Sequence, residues 1–328
     1  MADFKSFCIS EKEGRIMSKE KQNRHPVLKT VGAAAVTGAA AYGTYAWYVF
    51  TQAFNPDKSR YHPDGLAPNS AETAASNDWL NRSSRMDDTL RSYDDLTLHA
   101  MRIENHPDSK KWMILLHGFH RCAYDLIPLM MEADKRGFNL LVPDQRASGQ
   151  SEGTYTGLGW PEHYDLLSWV NYLCALRPDA EIALYGIDMG ANAVMNAAGD
   201  FIPANVKCAV EEGGYLDIKE QLITSAESVS GIPVRPFIPA VDMLVRQFLH
   251  FSMNDVSTRR QLANAKIPML FMHGCDDAVV PAINAERAHS CAAGEKELIL
   301  FRATGFGGCR YHEAYADTMF EFIKKYID

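Results

Sequence analysis

The fold of this chain is indicated most clearly by the stretch Tyr185-Gly186-Ile187-Asp188-Met189-Gly190. The apolar residues 181–185 are typical of a short strand, and the alanine-rich residues 191–198 that follow are typical of a helix. The sequence therefore predicts a strand, a turn and a helix in immediate succession, with the carboxylate of Asp188 at the turn.

Apolar segments with strand and helix spacing alternate along the chain from residue 96 onward. The predicted strands are 96–103, 112–116, 139–142, 181–185, 206–210, 267–272 and 298–301. The predicted helices are 123–135, 166–174, 191–198, 281–292 and 311–327. Several of the strands are continuous apolar runs, as expected for strands covered on both faces. The pattern predicts an α/β fold, with a mostly parallel, doubly wound sheet and helices on both faces.

A long insertion interrupts this alternation. About fifty residues separate the strands predicted at 206–210 and 267–272, which is too many for a simple crossover. We expect a helical cap at about 213–264, within a domain that spans 96–328. Residues 53–95 are rich in Asn, Asp, Ser, Pro and Arg and predict a linker, with a short helix near 77–80.

Four motifs, taken in order, resemble those of the bacterial α/β-hydrolases, of the membrane-anchored kind related to serine aminopeptidases and esterases. They are HGF at 117–119, PDQRASGQSEG at 143–153, GIDMG at 186–190 and HGCDDAVVP at 273–281. The resemblance covers roughly 96–328. It implies the α/β-hydrolase fold and hydrolysis of an ester, amide or similar bond in a small molecule or peptide.

The resemblance also implies a nucleophile, an acid and an oxyanion hole, which binds the developing negative charge through backbone N–H groups. Asp188 occupies the position of the usual serine. Phe119 and Met189 match the two oxyanion-hole positions. Asp277 matches the triad acid, and its neighbour Asp276 is the alternative; either could instead cap the helix that follows.

The position of the usual histidine is also changed. The loop after the last predicted strand reads RATGFGGC over 302–309, and Phe306 aligns with the histidine. A phenylalanine keeps roughly the size of the ring but removes both nitrogens. His312 is the nearby substitute, although it is equally consistent with a surface residue at the start of the last helix.

Three functions remain open from these residues. An ester or amide hydrolase would use Asp188 as nucleophile or as general base on water. A relative of haloalkane dehalogenases and epoxide hydrolases would use Asp188 to attack an alkyl carbon and form an ester, although Met189 stands where many of those enzymes have tryptophan. A catalytically inactive pseudohydrolase would keep the fold for binding. In each case the nearby charge of Asp277 should raise the pKa of one carboxylate.

The N-terminal region predicts a membrane anchor. Residues 1–29 are rich in Lys and Arg, and the uncharged residues 30–52 contain a segment, 31–50, long enough to cross a bilayer core of about 30 Å. A retained helix would leave residues 1–29 in the cytoplasm and the hydrolase domain outside it. A cleaved signal peptide, with alanines at 39–41 as the cleavage site, and a buried helix are the alternatives.

Composition and residue spacing limit the classes of partner, cofactor and metal that we expect. The net charge of −8 argues against nucleic acid. The seven cysteines have no paired or zinc-binding spacing, which favours free thiols. There is no glycine-rich phosphate loop and no metal-ligand pattern, so we expect neither cofactor nor metal. The substrate and the oligomeric state are not indicated by the sequence.

Overall fold

A single eight-stranded sheet forms the centre of the molecule. The computed structural model describes residues 38–58 and 70–328. The strands of the described part are β1 (Arg85–Arg91), β2 (Thr97–Ile103), β3 (Lys111–Leu116), β4 (Asn139–Pro143), β5 (Glu181–Ile187), β6 (Val206–Glu212), β7 (Met269–Gly274) and β8 (Lys296–Phe301). They lie in the order β1-β2-β4-β3-β5-β6-β7-β8. Only β1 and β2 pair antiparallel to their neighbours, so the predicted mostly parallel sheet is confirmed.

Helices cover both faces of this sheet. The α-helices of the described part are α1 (38–54), α2 (Ser70–Arg82), α3 (Ile127–Asp134), α4 (Pro161–Leu176), α5 (Met189–Ala197), α6 (Ile218–Ser230), α7 (Ile238–Leu249), α8 (Thr258–Asn264), α9 (Ile283–Cys291) and α10 (Tyr315–Ile323). Residues of α4, α5, α8 and α9 pack on one face of the strands. Residues of α3 and α10 pack on the other. The central parallel strands are therefore buried on both sides, which explains their continuous apolar sequences.

The long insertion between β6 and β7 is helical, as the sequence predicts. It contains α6, α7 and α8. Val234, Val241 and Val245 are fully buried within the fold, whereas Met243 on α7 is 68% exposed. The insertion is thus an amphipathic layer with its own buried apolar side.

The segment predicted as a linker contains a regular strand. β1 pairs with β2 over its whole length, and its side chains alternate between exposed and half-buried. Its sequence, RMDDTLR, is mostly charged because the strand lies at the edge of the sheet. An edge strand of this kind lacks the apolar pattern by which strands are recognised.

The predicted transmembrane helix is wrong for the described residues, where no helix is both long and apolar enough to cross a membrane. Helix α1 covers 38–54, or about 25 Å at the usual rise per residue. Its last turns are buried in protein: the rings of Phe50 and Phe54 lie 5.4 Å apart, and Phe50 also lies 5.1 Å from Tyr155 and 5.7 Å from Phe248. The rest of the predicted segment, 30–37, and the basic tail 1–29 lie outside the described residues.

Truncation of Phe54 tests whether the end of α1 belongs to the domain core. Phe54 is completely buried, and its backbone oxygen accepts a hydrogen bond from the N–H of Thr156 at 2.8 Å. We expect Phe54→Ala to lower the free energy of unfolding in urea by about 3–5 kcal/mol, because the substitution leaves a cavity. Phe201 is 94% exposed and supplies the control, Phe201→Ala, with an expected change within about 0.5 kcal/mol. Equal urea midpoints for the two variants would contradict this packing.

Candidate active site

The site is built on the sharp turn between β5 and α5. Asp188 occupies this turn with φ 54° and ψ −116°, a conformation that side-chain-bearing residues rarely adopt. A Cβ on Gly186 would lie 2.2 Å from the oxygen of Gly190, and a Cβ on Gly190 would lie 2.5 Å from the oxygen of Leu116. Glycine is therefore required at 186 for the turn to close against the start of α5, and at 190 for it to pack against the end of β3. The N–H of Asp188 donates to the oxygen of Glu212 at 2.8 Å, which fixes the turn against the end of β6.

The carboxylate of Asp188 binds the backbone groups expected to hold a substrate oxyanion. The N–H of Phe119 donates to Asp188 Oδ2 at 2.9 Å, and the N–H of Met189 also hydrogen-bonds the carboxylate. The loop after β3 approaches this closely because residue 118 is glycine: a Cβ there would lie 2.9 Å from Oδ2. The two backbone N–H groups predicted to form an oxyanion hole therefore both contact the side chain of Asp188.

Asp277 lies near Asp188 but is held by local contacts. Its Oδ1 accepts hydrogen bonds from the N–H groups of Val279 and Val280, both at 2.8 Å. Its Oδ2 lies 3.6 Å from Nε2 of His273, which in turn lies 2.7 Å from the oxygen of Val280. Asp277 thus stabilises the turn before α9 while facing the same chamber as Asp188.

Phe306 lies beside Asp188, and His312 does not. Phe306 lines the cleft on both sides of Asp188. Among the described residues that line this cleft, the single imidazole is that of His117. Its Nδ1 lies 2.8 Å from the oxygen of Gly118 and its Nε2 accepts from the N–H of Gln145, so both nitrogens are engaged. The ring of His312 packs 5.0 Å from that of Phe301, away from this lining.

The cleft above Asp188 is narrow and partly apolar. It encloses about 440 Å³ of space that opens to solvent, and Phe119, Phe306, Arg121 and Arg310 are among its lining residues. A smaller chamber adjoins it beneath Phe306, with Glu212 and Asp277 in its walls. The site therefore combines aromatic rings, two guanidinium groups and four carboxylates, the fourth being Asp125, which lies 3.5 Å from Arg121.

Comparison with known proteins agrees with this geometry. The family model for the α/β-hydrolase fold matches residues 111–226. The Bacillus subtilis protein YqkD is 25% identical over 194 residues, which make up 59% of this chain and 64% of YqkD. The Salmonella typhimurium protein YfhR is 28% identical over 204 residues, or 60% of this chain and 65% of YfhR. The chain thus spans less than two thirds of the length of these relatives.

Solved structures of esterases are similar to this chain in fold. The Pyrococcus furiosus esterase Pf2001 superposes with a TM-score of 0.63 at 20% identity, covering 81% of this chain and 99% of the esterase. The esterase EaEST from Exiguobacterium antarcticum superposes with a TM-score of 0.54 at 17% identity, covering 73% of this chain and all of its own. This chain has the α/β-hydrolase fold. The predicted fold class and family resemblance are confirmed.

The electrostatics of this α/β-hydrolase site centre on Asp188. Burial is the largest cause that raises the pKa of its carboxyl group from 3.8 to about 6. The N–H groups of Phe119 and Met189 act in the opposite direction, and the charge of Asp277 adds a further rise. The rise in pKa expected from a neighbouring carboxylate is therefore present, but the loss of water around Asp188 contributes more to the raised pKa. Burial also lowers the pKa of His117, which keeps that imidazole neutral.

Sequence reasoning missed three side chains of the site. Glu212 ends the apolar strand VKCAVEE, and an acid at the carboxyl end of a buried strand is a signal that could have been used. Arg121 stands two residues after the oxyanion-hole residue Phe119, so its proximity also follows from the motif. Arg310 comes from the loop after β8 and carries no comparable signal.

The raised pKa of Asp188 predicts a pH-dependent loss of stability. Between about pH 4 and pH 6 the folded state holds a proton that the unfolded state has released, so stability falls as the pH rises through this window. In Asp188→Asn this loss should be absent. Between pH 4 and pH 7.5, the free energy of unfolding of the variant should therefore rise by about 2–3 kcal/mol relative to that of the native chain. Urea unfolding of each chain at pH 4 and at pH 7.5 measures this change in the free energy of unfolding. Asp276→Asn, at an exposed neighbouring aspartate, is the control; identical pH dependence in all three chains would contradict the burial of the carboxylate.

Proposed function

We propose that the protein is a small-molecule hydrolase whose reactive group is the Asp188 carboxylate, and that this carboxylate attacks an electrophilic alkyl carbon. The observation that carries the proposal is the 2.9 Å hydrogen bond from the N–H of Phe119 to Asp188 Oδ2. It holds one carboxylate oxygen and leaves the other, Oδ1, to act as nucleophile. With an alkyl halide, an Oδ1–carbon bond forms while halide leaves with its bonding electrons. With an epoxide, the Oδ1–carbon bond forms while the ring C–O bond breaks, and the resulting alkoxide takes a proton from solvent water.

The same hydrogen bond suits the second half of such a reaction. Water must then add to Cγ of the Asp188 ester, and negative charge develops on Oδ2. The N–H groups of Phe119 and Met189 already contact the carboxylate. Donors that are in place before charge develops are the most effective stabilisers of a transition state. Collapse of the intermediate releases the alcohol and regenerates Asp188.

Acyl transfer of the serine-hydrolase kind is less well supported. A substrate carbonyl oxygen would have to occupy the oxyanion hole during attack on an ester or amide. Asp188 Oδ2 takes that place, and a Cβ at Gly118 would already clash with it, so the two oxygens compete for one small site. The arrangement therefore favours displacement at an alkyl carbon.

The residues around the cleft are consistent with a departing anion. Arg121 and Arg310 line it together with Phe119 and Phe306. A guanidinium group donates several N–H bonds and stays charged, so it can stabilise a halide or an alkoxide as it leaves. Met189 is fully buried, and its side chain has no hydrogen-bond donor for a leaving group. In this cleft the two guanidinium groups would supply such donors instead.

Covalent labelling tests the proposal. The full chain is incubated with 1-bromobutane, with styrene oxide and with p-nitrophenyl acetate, and the modified peptide is identified by mass spectrometry. We expect an alkyl adduct on Asp188 with at least one of the first two probes, because Oδ1 is the nucleophile.

Two variants control this experiment. Asp188→Asn keeps the shape of the side chain and should form no adduct, whereas Asp276→Asn should label like the native chain. Turnover of p-nitrophenyl acetate that persists in Asp188→Asn, or an adduct at another residue alone, would contradict the proposal.

A second candidate, binding without turnover, is favoured by Phe306. The ring lines the cleft on both sides of Asp188, at the position where the fold family places its proton-transferring histidine. Without an imidazole there, the cleft lacks the usual proton-transferring group, so a ligand can bind without being turned over. Under this candidate the native chain binds small molecules in the cleft and forms no adduct.

The Phe306 position also yields a prediction about the rate of release. Phe306→His should shorten the lifetime of the Asp188 adduct by about 100-fold, because a general base of suitable pKa then lies beside the ester. Phe306→Leu, which changes the packing without adding a base, is the matched variant. The adduct lifetime is followed by intact-protein mass spectrometry after removal of the probe. Equal lifetimes for the two variants would show that residue 306 does not lie within reach of the ester.

A further inference from the structure

The small chamber beneath Phe306 holds an unused acidic group next to Asp188. Asp188, Glu212, Asp277 and Cys309 are among its lining residues. Its size is that needed by about one water molecule. A water molecule in this chamber would stand between the nucleophile and the carboxylates around it.

Glu212 is positioned in the chamber by contacts at one of its two oxygens. It is the last residue of β6, and its side chain is buried. Oε2 accepts hydrogen bonds from the hydroxyl groups of Tyr185 and Tyr315, both at 2.7 Å. Oε1 is also buried and accepts no hydrogen bond of normal geometry from the described residues, and the thiol of Cys309 lies against the same carboxylate. A buried carboxylate oxygen of this kind is costly unless it meets a donor such as water.

The other groups of the site are less suited to take a proton. Asp277 uses Oδ1 to accept from the N–H groups of Val279 and Val280. The two nitrogens of His117 are engaged by the backbone. Cys309 is a thiol whose pKa is raised by burial and by the charge of Glu212, so it stays protonated.

We infer that Glu212 is the general base that activates water for release of the Asp188 ester, an inference that rests on the proposed function. Oε1 accepts a proton as the water oxygen bonds to Cγ of Asp188, and negative charge moves to Oδ2 at the N–H of Phe119. When the intermediate collapses, the Cγ–Oδ1 bond breaks, and Oδ1 leaves with the electron pair on the alkyl group as an alkoxide. That alkoxide takes the proton from Glu212, which leaves the alcohol and the free carboxyl group of Asp188.

The environment of Glu212 fits this role. Burial raises the pKa of its carboxyl group, and the hydrogen bonds from Tyr315 and Tyr185 only partly offset the rise. A carboxylate with a raised pKa is a stronger base and works closer to neutral pH than an exposed one. The two tyrosines also fix the orientation of the group, so that Oε1 is the oxygen left for water.

The adjacent Glu211 provides a matched control. It is also a buried carboxylate, but successive side chains of a strand point to opposite faces of the sheet. Its Oε2 accepts from the N–H of Gly214 at 2.9 Å, and it does not line the chamber. Glu211→Gln and Glu212→Gln therefore remove the same charge from neighbouring positions on different faces.

The experiment separates formation of the adduct from its release. The full chain and both variants are labelled with 1-bromobutane, the probe is removed, and loss of the butyl group from Asp188 is followed by mass spectrometry. We expect Glu212→Gln to label and then to release the butyl group at least 10-fold more slowly than the native chain, and Glu211→Gln to release it at the native rate. Thermal unfolding of each variant shows whether the fold is retained; Glu212→Asp, which keeps the charge, is the second variant and should release faster than Glu212→Gln.

Each of the other outcomes would contradict either the role of Glu212 or the proposed function. An adduct that forms in the native chain and is released equally fast from Glu212→Gln would overturn the role of Glu212 and leave the proposed function standing. Equal slowing in Glu211→Gln would show a general effect of buried charge and would also overturn it. If neither 1-bromobutane nor styrene oxide labels the native chain, the proposed function fails and this inference fails with it.

Discussion

The hydrogen bond between the N–H of Phe119 and Oδ2 of Asp188 is the contact on which the account of this site depends. It joins the loop after β3 to the turn after β5, so it exists only because these parallel strands are neighbours in the sheet. Glycines at 118, 186 and 190 let the backbone segments approach closely enough. The strained φ of Asp188 is maintained by this packing and by the hydrogen bond from its N–H to β6.

An aspartate at the position of the usual serine changes what the same backbone N–H groups bind. A serine side chain would leave the oxyanion hole open for the oxygen of a substrate, whereas the longer carboxylate of Asp188 fills it. The donors then stabilise charge on the protein's own nucleophile and, later, on the intermediate derived from it. Burial opposes this by raising the pKa of Asp188 to about 6, so the carboxylate is ionised for the most part at neutral pH. Under the proposed function, Phe306 leaves the cleft without the usual base, and Glu212 lies across the chamber from Asp188.

The sequence was a good guide where burial is two-sided and local spacing is strict. The apolar run at 112–116 and the YGIDMG stretch predict β3 and the turn between β5 and α5, because a buried parallel strand and a tight turn leave few choices of residue. The candidate positions Asp188, Asp277 and Phe306 meet around one cleft. Glu212 was missed because its role depends on which strands become neighbours. The transmembrane prediction is wrong for the described residues because an aromatic side chain such as that of Phe50, at the end of the predicted segment, looks the same in sequence whether protein or lipid covers it.

The most direct test of the central claim is the fate of the water oxygen in a single turnover. The full chain is mixed with less than one equivalent of 1-bromobutane in water enriched in oxygen-18, and both the Asp188 peptide and the butanol are analysed by mass spectrometry. If Asp188 is the nucleophile, water adds to its Cγ, and the heavy oxygen is found in the side chain of Asp188. If the heavy oxygen is found in butanol alone, water attacks the substrate directly and Asp188 does not form the ester, which would contradict the account.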